Sequence, residues 1–186
     1  MPRYRKYDYP LHQVRRLLEP GPVVLVSSHW RGQSNIMTMG WHMMLEFTPA
    51  LVACCISPAN HSFELVRRSR QCVINLPTAD MVDAVVGVGN CSAAEGIDKF
   101  AAFGPTPAPA REVEAPLIDQ CYANFECRLH DASRVATYHL FIWEVVRAHA
   151  AKTPKHPRTL HYRGNGEFMV AGGAVSRRAK FKPAYL

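Results

Sequence analysis

Short apolar runs with period-two alternation dominate this chain, and turn residues punctuate them at close intervals. "VVLVSSHW", "IMTMGWHMML" and "ALVACCIS" read as three successive strands. The links between them, "RGQS" and "FTP", are short, which favours antiparallel pairing over crossovers. "QCVINLP", "ANFECRLHD" and "YHLFIWEVVRAHA" continue the series, and "TLHYRG" and "EFMVAGG" predict a hairpin around Gly164-Asn165-Gly166. Helical spacing is scarcer. "PLHQVRRLLE" sets Leu11, Val14, Leu17 and Leu18 on one face, "NHSFELVRRS" reads as a short helix, and "IDKFAAFG" as a turn or two. "PTPAPAREVEAP" is an extended, proline-rich surface connection.

"DMVDAVVGVGN" needs arbitration. Gly87-Val88-Gly89 imitates the start of a dinucleotide-binding fingerprint, but Ser92 stands at the third glycine position and no βαβ repeat surrounds it. As a helix, Met81, Ala84, Val85 and Val88 share one face, with Asp80 as the cap and Gly89 as the stop. The helix is the better reading. The whole pattern is mainly β with helical insertions, a closed or nearly closed antiparallel barrel of Greek-key-like type. Residues 1–186 read as one domain, with 1–20 a helical N-terminal extension and 151–186 a C-terminal hairpin and tail.

Composition narrows the class. Hydrophobic residues make up 48% of the 186 positions, enough for a sizeable core and against disorder. No apolar run reaches the roughly 20 residues that span a bilayer, and "MPRYRKYDYPLHQ" lacks a signal-peptide stretch, so a soluble, cytoplasmic protein is expected. The six cysteines form no CxxC pair and sit in apolar patterns, as reduced core thiols do. With the histidines scattered, no metal site is expected. The net charge of +7 gathers in "PRYRK", "SRRAKFK" and "RRSR". These runs are solvated faces or attractors of phosphate-bearing small molecules; no nucleic-acid motif accompanies them.

Candidate chemistry lies where polar residues interrupt strand-like patterns. "GQSNIMTMGW" places an amide, a hydroxyl, thioethers and an indole together, which suits a flat ligand with an apolar body and a polar rim. In "ISPANHSFELV", Ser57, Asn60, His61 and Ser62 lead into a helix. Such a start offers unpaired N–H groups to a phosphate, although simple capping by Asn60 or Ser62 accounts for the spacing equally well. "NCSAAEGIDKFAAFG" adds Cys91, Ser92 and Lys99 in a glycine-containing loop.

Taken in order, these segments resemble the flavin reductase-like family, the FMN-binding split barrels that include flavoredoxins and the reductase components of two-component monooxygenases. The similarity runs through "PVVLVSS", then Asn35, Met37, Thr38 and Trp41, then Ser57-Pro58 before "NHSFELV", then "CVINLP", "CSAAEGIDKFAAFGPTPAPA" and "YHLFIWEVVRAHA". The resemblance implies FMN, with FAD as a further flavin substrate. Asn35, Ile36, Met37, Thr38 and Trp41 would line the ring and ribityl chain. Ser57, Asn60, His61 and Ser62 would take the phosphate, and Cys91, Ser92 and Lys99 would reach in from the third segment.

It also implies a homodimer that passes a hydride from NAD(P)H to flavin N5 and on to a monooxygenase or another acceptor, with His139 receiving the nicotinamide and no catalytic acid or base. The alternative is a flavoredoxin-type electron carrier with tightly bound FMN and no nicotinamide site; a non-redox module or a nucleic-acid binder stands further back. The chain departs from the family where Thr137 and Tyr138 replace a Gly-Asp pair and Trp143 replaces a glycine. The expectation is that this bulk narrows or fills the nicotinamide slot.

Overall fold

The computed structural model describes residues 4–14, 21–182 and 184. Twelve strands are described: β1 Lys6–Asp8, β2 Val24–Trp30, β3 Gln33–Met39, β4 His42–Glu46, β5 Leu51–Cys55, β6 Gln71–Leu76, β7 Pro107–Ala108, β8 Leu117–Ile118, β9 Ala123–Asp131, β10 Leu140–Ala151, β11 Leu160–Gly164 and β12 Glu167–Val170. The helices are α1 His61–Ser69, α2 Val82–Asn90, α3 Lys99–Phe103 and α4 Val135–Tyr138. The main sheet runs β3-β2-β6-β9-β10-β5-β4, with β1 also on β10, and its pairings are antiparallel. Only Gly40 and Trp41 link β3 to β4, although these are the two ends of that order. The sheet must therefore curl until its edges nearly meet, and the result is a split barrel.

Local chemistry accounts for the turns. Arg31 (φ 50°) and Gly32 (φ 78°) join β2 to β3. Positive φ at both central positions matches the strand twist in a two-residue hairpin loop. The predicted C-terminal hairpin forms as β11 and β12, with Gly164, Asn165 and Gly166 all at positive φ. α2 differs from its expected ends. Asp80 lies within a 3-10 turn, Ala79–Met81, that Thr78 precedes, and Gly89 sits inside the helix. Gly87 and Gly89 are there for close packing. A Cβ on Gly87 would meet the Phe103 ring at 2.4 Å, and one on Gly89 would press Thr38 Cβ at 3.4 Å.

Alternation along the strands divides the core in two. Val24, Val26, Met37, Met39, Val52, Ile74, Phe125, Phe141, Trp143 and Val145 fill the barrel interior, joined by Phe63 and Val66 of α1. Trp143 is fully buried and stacks parallel on Phe141 at 5.5 Å. It fills the barrel rather than a ligand slot, so the expectation for its bulk is overturned: on β10 the residues facing inward are Phe141, Trp143 and Val145. On the outer face of β2 and β3, Leu25 and Ile36 pack with Val85, Val88 and Phe100 of α2 and α3. At the N-terminus, β1 pairs with β10 and Leu11–Gln13 form a 3-10 turn, with Val14 buried. Leu17 and Leu18 of the expected helix lie outside the described residues. Among those described, no helix is long and apolar enough to cross a membrane.

A buried carboxylate ties the proline-rich connection to the barrel. Glu126 on β9 is fully buried, accepts the backbone N–H groups of Arg111 (3.0 Å) and Glu112 (2.6 Å), and meets His149 Nε2 at 2.7 Å. Burial pushes its pKa up, but the bonds from His149 and the two N–H groups outweigh this and leave it below the ordinary carboxylate value of 4.5. A depressed folded pKa contributes stability that is present above the unfolded value and is lost as pH falls through the folded one. Glu126→Gln is thus expected to lower unfolding stability by about 2 kcal/mol at pH 7. The gap between wild type and variant should shrink as denaturation is repeated below pH 4.5. A gap that stays constant with pH would show that the charge is not what holds the connection.

Candidate functional site

The start of α1 is open to an anion. Asn60 stands at its N-cap with extended backbone, yet no side chain caps the helix. Asn60 turns its amide to the Ser57 carbonyl (3.4 Å), and Ser62 Oγ accepts from the buried Asn35 Nδ2 at 2.9 Å. Capping is therefore not what these residues do. First-turn N–H groups without side-chain caps, at the positive end of a helix dipole, attract negative charge.

Opposite this turn, the loop after α2 brings in a cation. Asp98 caps α3 by accepting from Phe100 and Ala101 N–H, which fixes Lys99 at the first helical position. The Lys99 ammonium donates to the Val88 carbonyl at 2.9 Å, and the residue is only 6% exposed. Burial lowers its pKa, while neighbouring Cys91 and Glu95 work against that shift. Ser92 accepts from Ala94 N–H and so turns the loop.

A pocket of about 250 Å³ lies between these parts. Asn35 and Met37 of β3, Asn60, His61 and Ser62 of α1, and Cys91, Ser92 and Lys99 of the loop all line it. Eight residues expected from three sequence segments thus converge on one cavity. Gly89, Asn90 and Glu95 line it too and were missed by sequence reasoning. The only signal for Gly89 and Asn90 was the glycine pair in "GVGN", which reads better as a helix end, and Glu95 carried none.

A larger cleft of about 770 Å³ adjoins it, since Gly89 and Asn90 border both. Thr38 and Trp41 form part of its wall, and Tyr162 and Phe168 of the C-terminal hairpin form another part. Trp41 is 77% exposed, an open apolar surface for a planar group. The Thr38 hydroxyl donates to the Val85 carbonyl at 2.7 Å, so its first duty is to hold α2 on β3 rather than to bond a ligand's rim. The hairpin wall was not foreseen, because its alternation announced a hairpin but not its neighbours.

Three expected residues stand elsewhere. Ile36 is fully buried on the face of β3 that packs against α2, so only its backbone can reach a ligand. Ser57 is exposed, accepts from Ala59 N–H, and is not part of either cavity wall. His139 follows α4 in the left-handed region (φ 56°), set there by the Ile56 N–H bond to its carbonyl and edge-on to Phe63 at 6.0 Å. It lines a third cavity with Pro58, Phe63 and Phe141, not the cleft beside Trp41. That placement corrects the reading of "YHLFIW" as continuous strand.

Comparison with known proteins identifies the fold and the family. The family model described as "Flavin reductase like domain" matches residues 15–168. YddH of Escherichia coli K12 is 32% identical over 180 residues, covering 89% of this chain and 95% of that protein. A crystal structure of an FMN-binding domain of a flavin reductases-like enzyme from Shewanella baltica OS155 superposes with a TM-score of 0.88 at 26% identity, over 95% of this chain and 99% of its own. Flavoredoxin of Desulfovibrio vulgaris (Miyazaki F) shares the fold, with a TM-score of 0.75 at 22% identity over 86% of this chain and 91% of its own. The split barrel, the converging pocket and a family match over most of the chain lead to one assignment: the chain belongs to the flavin reductase-like family.

Proposed function

We propose that this protein is an FMN-binding oxidoreductase that takes electrons from NAD(P)H and hands them to a monooxygenase or another acceptor. The observation that carries the reading is the small pocket at the start of α1, lined by Lys99 and Ser62 and continuous with an aromatic-walled cleft. When bound, FMN supplies a ring that accepts and releases electrons. The chain's own residues do the rest. First-turn N–H groups of α1 and the Lys99 ammonium bind a phosphate, Asn35 fixes the Ser62 hydroxyl, and Trp41 offers an apolar face beside the cleft. The test is direct. Purified protein should show a flavin absorbance band, and NADH or NADPH should bleach it in the absence of air. Protein that neither carries nor takes up FMN would overturn the reading.

A second reading, a carrier without a nicotinamide site, draws on one observation: His139, the residue expected to receive nicotinamide, opens on a different cavity from the cleft. Unbleached flavin in the same titration would favour it.

The active form is proposed to be a homodimer. Along β4 and its flanks, Trp41, Met43, Leu45 and Phe47 are 77%, 60%, 43% and 53% exposed on an edge strand of the main sheet, whose register shifts between Met44 and Glu46. A contiguous apolar stripe of this kind marks an association surface. Met43→Glu is expected to turn a dimer into a monomer in sedimentation velocity at micromolar concentration. A dimer that persists with the same stability would place the interface elsewhere.

A further inference from the structure

A third cavity, of about 510 Å³, lies between α1 and the β9–β10 connection, on a face of α1 different from the phosphate pocket. Phe63 and Arg67 reach it one helical turn apart and Arg70 reaches it from the left-handed cap after α1, whereas His61 and Ser62 line the other pocket. Its volume falls within the range of small-molecule sites, about 300–1,000 Å³. Phe63, Leu129 and Val135 make its walls apolar, and Phe141, which also borders it, is fully buried. His139 Nδ1 at the same cavity is buried and has no hydrogen-bond partner among the described residues.

The charge at the mouth sets the ligand class. Glu64 accepts from Arg67 at 2.8 and 3.0 Å and from Arg68 at 3.0 Å, so one carboxylate is shared by two guanidiniums. Arg70 has no ion pair among the described residues and lines the cavity. The exposed guanidiniums thus leave an excess of positive charge over apolar walls. That combination matches a small hydrophobic carboxylate and mismatches a free phosphate, which has no apolar body to bury.

We propose that this cavity binds a small aromatic carboxylate, with its ring against Phe63, Leu129 and Val135 and its carboxylate at Arg70. The site is separate from the flavin pocket and does not depend on flavin binding.

Calorimetric titration with 1-naphthoate tests this, with 1-naphthalenemethanol and inorganic phosphate as controls. Wild-type protein is expected to bind naphthoate at least tenfold more tightly than the neutral alcohol, and phosphate not at all in this cavity. Arg70→Glu should weaken naphthoate about tenfold or more, the loss of one charge-assisted bond, without changing the alcohol. Ala136→Trp, which fills the cavity from an exposed position on α4, should abolish naphthoate binding. FMN titration should give the same affinity in all three proteins, which separates failure here from failure of the flavin reading. Naphthoate that binds both variants as it binds wild type, or binds none of the proteins at millimolar concentration, would overturn the proposal.

Discussion

Lys99→Met is expected to weaken FMN binding by 10- to 100-fold while leaving riboflavin affinity within about threefold, because a charge-assisted bond to phosphate contributes about 1.5–3 kcal/mol. Placement is the reason. Lys99 is buried at the wall of the small pocket, and the carbonyl of Val88 near the end of α2 holds its ammonium there. Methionine keeps most of the stem's length and its apolar contacts but removes the charge, so folding should survive. Riboflavin lacks the phosphate and serves as the internal control. Ser62→Ala should act in the same direction but less strongly, since it removes one hydroxyl and strands the Asn35 amide. Equal loss of both flavins in Lys99→Met would mean that the lysine only braces α2. Titration by flavin fluorescence measures both.

The pH dependence of that affinity follows from the same burial. Desolvation lowers the Lys99 pKa in the unliganded protein, and Cys91 and Glu95 partly restore it. A bound phosphate would restore it further, so FMN should bind more weakly as pH rises into the range where free Lys99 loses its proton. Lys99→Met should lack that alkaline fall.

Much of the fold was legible because the sheet obeys alternation. β2, β5, β6, β9 and the β11–β12 hairpin lie where short apolar runs end in turn residues. The break between β3 and β4 was not legible. "IMTMGWHMML" reads as one strand, and only the closing of the barrel forces a two-residue step from one sheet edge to the other at Gly40-Trp41. The α4 turn before His139 was hidden in a strand-like run for a similar reason. His139 ends that turn as a left-handed cap, its N–H on the Val135 carbonyl and its own carbonyl accepting from Ile56, and no glycine marks the position in sequence.

At the candidate site, three polar residues set in apolar surroundings, Asn35, Ser62 and Lys99, are buried together around one pocket. Residues that contribute backbone or shape carry no such mark. Gly89 borders both cavities and lets Thr38 reach Val85, yet in sequence it looks like a helix stop. Buried bonds between distant strands, such as Asn124 Nδ2 to Asn75 Oδ1 at 2.7 Å, are equally silent, because 49 residues separate the partners.

Trp143→Ala is expected to cost about 3–5 kcal/mol of stability and to leave flavin reduction in the folded fraction unchanged. From sequence alone this tryptophan belongs to a nicotinamide slot, and a smaller residue there should speed reduction. The structure makes the opposite case. The indole is wholly inside the barrel, stacked on Phe141, on a strand whose partners at this level are Val52 and Leu129. Room for it comes from small neighbours in the same cluster, Cys54, Cys72, Cys127 and Ala50. Removing the ring leaves a void that these short side chains cannot fill, so the cost should fall at the upper end of the range. Trp143→Gly adds the strand's loss of a side chain and should be worse. Trp143→Phe keeps most of the volume and should recover more than half of the loss. Urea denaturation of the three variants ranks them, and stopped-flow reduction at equal folded concentration checks the rate. Faster reduction in Trp143→Ala at unchanged stability would return the indole to a ligand slot.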